Sequence, residues 1–382
     1  MLTANPIEMK FLASHERSCD IIVEPGLIGQ LGEYLTSYFS TKSKLFLVCD
    51  ETVARLYLQD ALNSLQKKGY TVTPYVVPVG EESKSLHQAQ DLYTAAMNAG
   101  LGRNDVMLAL GGGVVGDLTG FCASTYCRGI TVIQIPTTLL AQVDSSIGGK
   151  TGVNVGSIKN SVGTFHQPKA ILIDPLALNT LSEQERRAGM GEIIKYALIE
   201  HSCLNDVFNP EQPESLWELL KSEVNQHGLN AATKPEILHR CALLKASVVC
   251  RDEFETSGLR IFLNLGHTFG HAYESLSHYE ILHGEAVALG ILKAVQLTEI
   301  LQQAPKTLEV ELKTLFNQLG LTPVFETMPP YDAQALLKAM QLDKKNQYGS
   351  IRLILPTPEL GVVEARTDID ESLILRVLQQ KL

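Results

Sequence analysis

Residues 105–121 read DVMLALGGGVVGDLTGF. The stretch 105–110, apolar after Asp105, has the length of a buried strand. Gly111, Gly112 and Gly113 follow at once, then Val114, Val115 and Gly116, after which the spacing of apolar residues becomes helical. Strand, glycine turn and helix make the first half of a parallel βαβ unit. The glycines satisfy G-x-G-x-x-G, and the N–H groups at the start of such a helix suit a pyrophosphate. A dinucleotide fold of the usual strand order expects an acid about 20 residues beyond the turn. That region here is TVIQIPTT, with no acid, and the acid at a strand end, Asp50, comes earlier. The stretch therefore predicts a nucleotide site in a non-Rossmann strand order. A tight packing turn explains the glycines alone equally well.

Working outward, strands and helices alternate. KLFLVC (44–49) ends at Asp50, helical character covers 53–68, and TVTPYVVPVG (71–80) reads as a second strand. A polar turn spans Glu81 to Lys84, and 87–100 has helical spacing ending at Gly100. Ile130 to Ile135 form a further strand, and AILI (170–173) another. Between them lies the densest polar stretch, with Thr137, Thr138, Asp144, Ser145, Ser146, Lys150, Lys159 and Asn160 among glycines. Short polar side chains, lysines and flexible backbone suit phosphate or ribose contacts. After Asp174 helical patterns take over, with a boundary expected near 176–185. The division expected is an α/β domain over 1–178 and a mainly helical one over 179–382. A strand at 351–355 and ELGVVEA beyond it suggest a small terminal hairpin.

The helical half carries a second chemical signal. Residues 258–285, GLRIFLNLGHTFGHAYESLSHYEILHGE, hold His267, His271 and His283. His267 and His271 are four apart and share one helix face. Upstream, GMGEIIKYALIE offers Glu192 with Lys195 one turn later. Imidazoles and a carboxylate on apolar helices suit a zinc site with an open position. Satisfied core histidines are the competing reading, and spacing alone does not choose the ligands. Lys245 sits in an apolar helical stretch, Arg260 follows an acidic loop, and Lys344 and Lys345 precede the last strand region.

Composition bounds the function. The 382 residues suffice for two cores, and 45% hydrophobic content excludes disorder. A net charge of −10 argues against nucleic-acid binding through a general basic field. An anionic substrate would need a local basic pocket. Seven scattered cysteines without a C-x-x-C pair fit a reduced, cytoplasmic setting. The N-terminal twenty residues carry charges throughout and do not read as a signal peptide, and no apolar run is long enough to span a bilayer.

Taken together, GGGVVGDLTGF, TYCRG, IPTTLLAQVDSSIGGKTGVN, GEIIKYALI, LNLGHTFGHAYE, LHGEAVALG and DKK resemble the 3-dehydroquinate synthase family of sugar phosphate cyclases, in the family's order and over most of the chain. The resemblance implies a homodimer that converts 3-deoxy-D-arabino-heptulosonate 7-phosphate (DAHP) to 3-dehydroquinate and phosphate in the shikimate pathway. It implies NAD, reduced and reoxidised within each turnover, and a zinc ion, or cobalt in its place. By position, the metal ligands would be Glu192, His267 and His283, and His271 becomes a substrate contact. Lys245, Arg260 and Asn264 would hold the substrate carboxylate. Lys150, Asn160, His271, Lys344 or Lys345, and Arg128 from the partner subunit would hold its phosphate. Asp144 would lie near the reacting hydroxyl and the zinc-bound water, and Lys195 would complete the active-site set. For NAD the matching positions are Asp50, Glu81, Lys84, Gly112, Gly113, Val114, Asp117, Thr137, Thr138, Lys150, Lys159, Thr180, Leu181 and Glu185. One departure is the loop RDEFETSG (251–258), one residue longer than the family's pattern.

Three competing functions share parts of this pattern. A metal-dependent polyol dehydrogenase has the same two-part build, but a polyol needs neither Lys150 nor Arg260. A non-catalytic NAD- or metal-binding regulator has no need to keep every ligand position. Aminodehydroquinate and inosose-type cyclases change the substrate-contact residues, whereas Asn264 and His271 here have the dehydroquinate identity.

Overall fold

The computed structural model describes residues 18–156, 158–204, 214–278, 280–302, 307–342 and 351–380. Lys344 and Lys345 lie outside the described residues. Six parallel strands form the main sheet: β1 (Asp20–Val23), β2 (Lys44–Asp50), β3 (Thr71–Val77), β4 (Val106–Gly111), β5 (Thr131–Pro136) and, after the hairpin of β6 (Lys150–Val155) and β7 (Ile158–Phe165), β8 (Ala170–Ile173). Their spatial order is β1-β8-β5-β4-β2-β3. Pro74 is tolerated in β3 because that strand is at the sheet edge.

Side-chain alternation explains why both faces are covered. Along β2, Leu45, Leu47 and Cys49 enter one core with Leu31, Leu108 and Ile133. Phe46 and Val48 enter the other, with Met107, Leu118 and Val132. A parallel sheet buried on both faces reads as a continuous apolar run, as β2 and β4 do. The chain leaves β2 for β3 on one side and returns through β4 on the other. Asp50 and Gly111 therefore end neighbouring strands at the point where the winding reverses, the usual place for a ligand crevice.

The glycine turn is shorter than the sequence suggests. The helix Gly113–Thr125 already includes Gly113 to Gly116, because Gly116 N donates to Gly112 O (3.0 Å). Only Gly111 and Gly112 remain outside it. The polar stretch after β5 also contains more order than its composition predicts. It forms a wide helical turn at Ala141–Ser145 and the antiparallel β6–β7 hairpin.

Among the described residues after β8 the chain is helical, apart from an antiparallel ribbon, β9 (Leu353–Pro356) with β10 (Val363–Arg366), that precedes a last helix, Glu371–Leu378. Its core is built on the helices Glu183–Leu198, Pro235–Arg251, His267–Leu276 and His283–Ile300. Glycines let three of these touch backbone to backbone. A Cβ on Gly191 would overlap the carbonyl of Gly284, and one on Gly290 would overlap that of Gly266. The close crossing brings Glu192, His267 and His283 to one place. Among the described residues no helix is long and apolar enough to cross a membrane.

Candidate active site

Three groups of polar residues meet where the sheet's carboxyl edge faces the helical half. The first lines the glycine turn. Gly112 caps the helix Gly113–Thr125, and Thr137 N donates to Gly111 O (3.0 Å). Space there is tight: a Cβ on Gly112 would lie 2.9 Å from the Thr138 methyl. Asp50 accepts from Thr52 N and Val53 N (2.8 and 2.9 Å), so its position is fixed at the end of β2. Buried Lys84 pairs with Asp117. Burial raises the Asp117 carboxyl even against that lysine. Glu81 accepts from Asn154 Nδ2 (2.8 Å), which ties the hairpin to this side of the cleft.

The second group is a buried charge cluster. Asp144, at the wide turn after β5, has Lys245 Nζ 2.9 Å from Oδ2 and Lys195 Nζ 3.6 Å from Oδ1. Lys245 also donates to the Asp144 carbonyl (2.7 Å), and Tyr196 donates to Oδ1. Burial opposes the ionised carboxylate, yet Lys245, Lys195 and Tyr196 outweigh it and hold Asp144 well below the usual range. Lys195 also pairs with Glu192, three residues earlier on its helix. Burial pulls the Lys195 pKa down, but Glu192 and Asp144 outweigh it and raise the pKa overall. Buried Glu192 and half-buried Asp144 thus balance the two buried ammonium groups, the condition for keeping charge inside a protein.

The third group is the imidazole cluster. His267 Nε2 and His283 Nε2 each lie 3.6 Å from Glu192 Oε1. Their Nδ1 atoms point away, to Leu265 O (3.1 Å) and Glu274 Oε1 (3.1 Å). Glu192 is 1% exposed, and neither of its oxygens receives a hydrogen bond of good geometry. Lys195 balances its charge from the Oε2 side, while Oε1 faces the Nε2 atoms of both imidazoles, an arrangement suited to a shared cation. Donor atoms of Glu192, His267 and His283 all fall within 4.8 Å of one another, and so do those of His271, Glu274 and His283. Two imidazoles and a carboxylate fit zinc or a similar divalent ion.

A cavity of about 330 Å³ lies between Asp117 and the β6–β7 hairpin, lined by Lys150, Asn160 and Phe165 among others. Buried Arg260 is held by Glu253 O (3.1 Å) and Gly148 O (3.2 Å), while its Nε has no acceptor. Lys150 pairs with Glu255, whose carboxylate also lies 3.9 Å from Arg260.

The family models for the 3-dehydroquinate synthase N-terminal and C-terminal domains match residues 74–188 and 189–346. The chain is 41% identical over 366 residues to the 3-dehydroquinate synthase of Crocosphaera subtropica, covering 96% of each. This chain belongs to the 3-dehydroquinate synthase family. Among solved structures it is similar to 2-epi-5-epi-valiolone synthase from Streptomyces hygroscopicus subsp. jinggangensis with NAD+ and Zn2+ bound (TM-score 0.80, 26% identity, 97% of this chain and 98% of that one). A second is 2-deoxy-scyllo-inosose synthase complexed with carbaglucose-6-phosphate, NAD+ and Co2+ (TM-score 0.78, 25% identity, 95% and 96%).

Positions drawn from the resemblance to 3-dehydroquinate synthases divide clearly in space. Asp144, Lys195, Lys245, Glu192, His267 and His283 form one connected cluster. His271 adjoins it, its ring centroid 5.5 Å from that of His267. Asn264 closes the Leu259–Asn264 turn just before the imidazoles. Lys150 and Asn160 line the cavity, and Lys159 on β7 is near enough to help hold the Glu274 carboxyl down. Thr180 bonds Tyr57 and Ala177, Leu181 follows it, and Glu185 lies in the first turn of the Glu183–Leu198 helix. Val114 sits in the first turn of the helix Gly113–Thr125. Arg128 stands apart, exposed at φ +66° on the turn after that helix.

Three residues of the site escape the sequence reading. Tyr196 and Glu274 each had a helical signal, four residues after Glu192 and three after His271. Glu255 belongs to the lengthened acidic loop, and nothing in its spacing points to Lys150.

Proposed function

We propose that this chain is a 3-dehydroquinate synthase, converting DAHP to 3-dehydroquinate and phosphate in the shikimate pathway. The observation that carries the reading is the Asp144–Lys195–Lys245 charge cluster, its two lysines buried, set directly against the Glu192, His267 and His283 donors. Those three residues would hold the metal, zinc or cobalt. NAD would lie along the glycine turn, between Asp50, Glu81, Lys84, Gly112 to Val114, Asp117, Thr137, Thr138 and Lys159, reaching Thr180, Leu181 and Glu185. When bound, the metal acidifies a substrate hydroxyl and NAD takes and returns a hydride.

The chain's own residues supply binding and proton placement. Arg260, Lys245 and Asn264 receive the substrate carboxylate, and the planar guanidinium suits a two-oxygen acceptor. Lys150, Asn160 and His271 receive the phosphate, with Lys344 or Lys345. Asp144, held ionised, is placed to accept a hydrogen bond or proton from the reacting hydroxyl, and Lys195 balances its charge. With the hydroxyl oxidised, the neighbouring C–H would be acidic; its proton would pass to an oxygen of the substrate's own phosphate, and the phosphate would leave as the C=C bond forms. Return of the hydride from bound NAD would restore the oxidation level before the ring opens and closes again. A dehydrogenase acting on neutral polyols has no use for so many cations in one cleft.

Arg128, exposed and outside the cluster, is assigned to the phosphate site of the partner subunit in a homodimer. The division at 178/179 places the whole parallel sheet in one domain and the helices bearing the metal donors in the other. A cytoplasmic setting fits the NAD dependence and the free thiols. Incubating the purified chain with DAHP, NAD and zinc, and assaying phosphate and 3-dehydroquinate, tests the reading; phosphate release without 3-dehydroquinate would sink it.

A further inference from the structure

Two triads of possible ligands share His283. One is Glu192, His267 and His283; the other is His271, Glu274 and His283. His283 faces a carboxylate on each side, Glu274 Oε1 at 3.1 Å from Nδ1 and Glu192 Oε1 at 3.6 Å from Nε2. One neutral imidazole has one proton and one lone pair, so it cannot ligate a cation through both nitrogens. In the neutral form that a cation requires, the shorter contact, the hydrogen bond to Glu274, keeps the proton on Nδ1 and leaves the lone pair on Nε2, the nitrogen that faces Glu192. His267 is arranged alike, with Nδ1 on the Leu265 carbonyl and Nε2 toward Glu192.

Glu274 is built into this position. It lies on the helix His267–Leu276, seven residues after His267 and three after His271, so all three share a face. Its side chain is 12% exposed, against 36% for His283. His283 begins the next helix, reached by a short loop, and its ring is the more open of the two candidate ligands. A largely shielded carboxylate on a neighbouring helix is therefore what fixes that ring.

We propose that Glu274 is a positioning residue for the metal centre: its carboxylate holds His283 as the Nδ1–H tautomer and aims Nε2 at Glu192, so that the His271–Glu274–His283 triad is not a second cation site. The inference rests on the reading that Glu192, His267 and His283 hold a divalent cation. An ionised acceptor also makes the imidazole a stronger donor to the cation than a backbone carbonyl would. The two candidate ligands are thus unequal, with His283 the more sensitive to its partner.

The test is equilibrium competition for Zn2+ and Co2+ between a chromophoric chelator and the metal-stripped full chain. The native chain takes up one ion. Glu274→Ala weakens affinity about 10- to 100-fold and alters the Co2+ visible spectrum. Glu274→Gln, which can still accept from Nδ1–H through its amide oxygen, keeps the spectrum closer to native and loses less affinity. A merely structural role would lower the unfolding temperature of the metal-stripped variants without this graded change in affinity and spectrum. If Glu274→Ala does not fold, Glu274→Gln decides: at least about threefold weaker binding supports the proposal, and native affinity with a native spectrum overturns it. Unchanged binding by Glu274→Ala also overturns it. So does uptake of two ions, one of them lost in Glu274→Ala, since the second triad would then be a site. Failure of the native chain to take up any ion would instead remove the metal reading itself.

Discussion

Tyr196 donates its phenolic hydrogen to Oδ1 of Asp144 from a wholly buried position beside Lys195. The Lys195 ammonium lies 4.5 Å from the centre of the same ring. One tyrosine thus orients the carboxylate and supports the cation that balances it. Tyr196→Phe keeps the ring and removes the donor. A hydrogen bond to a charged group contributes about 1.5–3 kcal/mol. We expect kcat to fall roughly 10- to 100-fold with KM for DAHP changing less, and the variant to stay folded by circular dichroism. A change confined to KM would show that Tyr196 serves binding instead.

Arg260 and Lys150 are expected to read different anions. Arg260 is clamped by Gly148 O and Glu253 O, and lysine cannot reproduce its fork. Arg260→Lys should weaken a carboxylate-bearing substrate analogue by on the order of 2–5 kcal/mol while NAD and zinc still bind. Lys150→Ala should weaken a phosphonate analogue more than its counterpart without the phosphonate. Calorimetry on both variants separates the two; equal losses for both ligands would show a single undivided anion site.

Metal retention should depend on His267 and on pH. His267→Ala is expected to release zinc, and His271→Ala to keep it while losing activity, as measured by metal content after dialysis. In the metal-free protein, burial opposes a charged His283, but Glu192 and Glu274 push its pKa up to about 10 from the ordinary 6.5. A raised pKa means that the imidazolium stabilises the metal-free fold fully below about 6.5 and stops doing so as pH rises through about 10. A bound cation must expel that proton. Zinc affinity should therefore climb between those values by on the order of tenfold per pH unit. A flat profile would show that no proton is displaced.

Gly191→Ala is expected to damage the site without touching a polar residue. The added methyl would overlap the Gly284 carbonyl, and backbone cannot step aside as a side chain can. Overpacking of this kind costs about 1–3 kcal/mol or more. The denaturation midpoint should drop, and zinc affinity with it, because Glu192 and His283 adjoin the two glycines that meet there. Unchanged stability would mean that the two helices can separate freely at this crossing.

The sequence made β2, β4 and β5 readable because strands buried on both faces are continuous apolar runs. It concealed the β6–β7 hairpin because β7 is exposed along nearly all its length and carries no apolar alternation. Helical spacing brought His267 and His271 forward as a pair, since periodicity sees only one helix at a time. The approach of His283 to Glu192 depends on Gly191 meeting Gly284 across two helices, which no local period encodes. Glu255 was hidden for the same reason: its partner Lys150 is 105 residues away.

The most direct measurement of the whole account is a count of turnovers against NAD. The zinc-loaded chain, supplied with excess DAHP and less than about one NAD per ten substrate molecules, should release phosphate and 3-dehydroquinate in equal amounts. Product should exceed NAD many times over, with no net rise in NADH absorbance. One NADH accumulating per substrate consumed, with the reaction stopping when NAD is spent, would contradict the synthase and establish a dehydrogenase in its place.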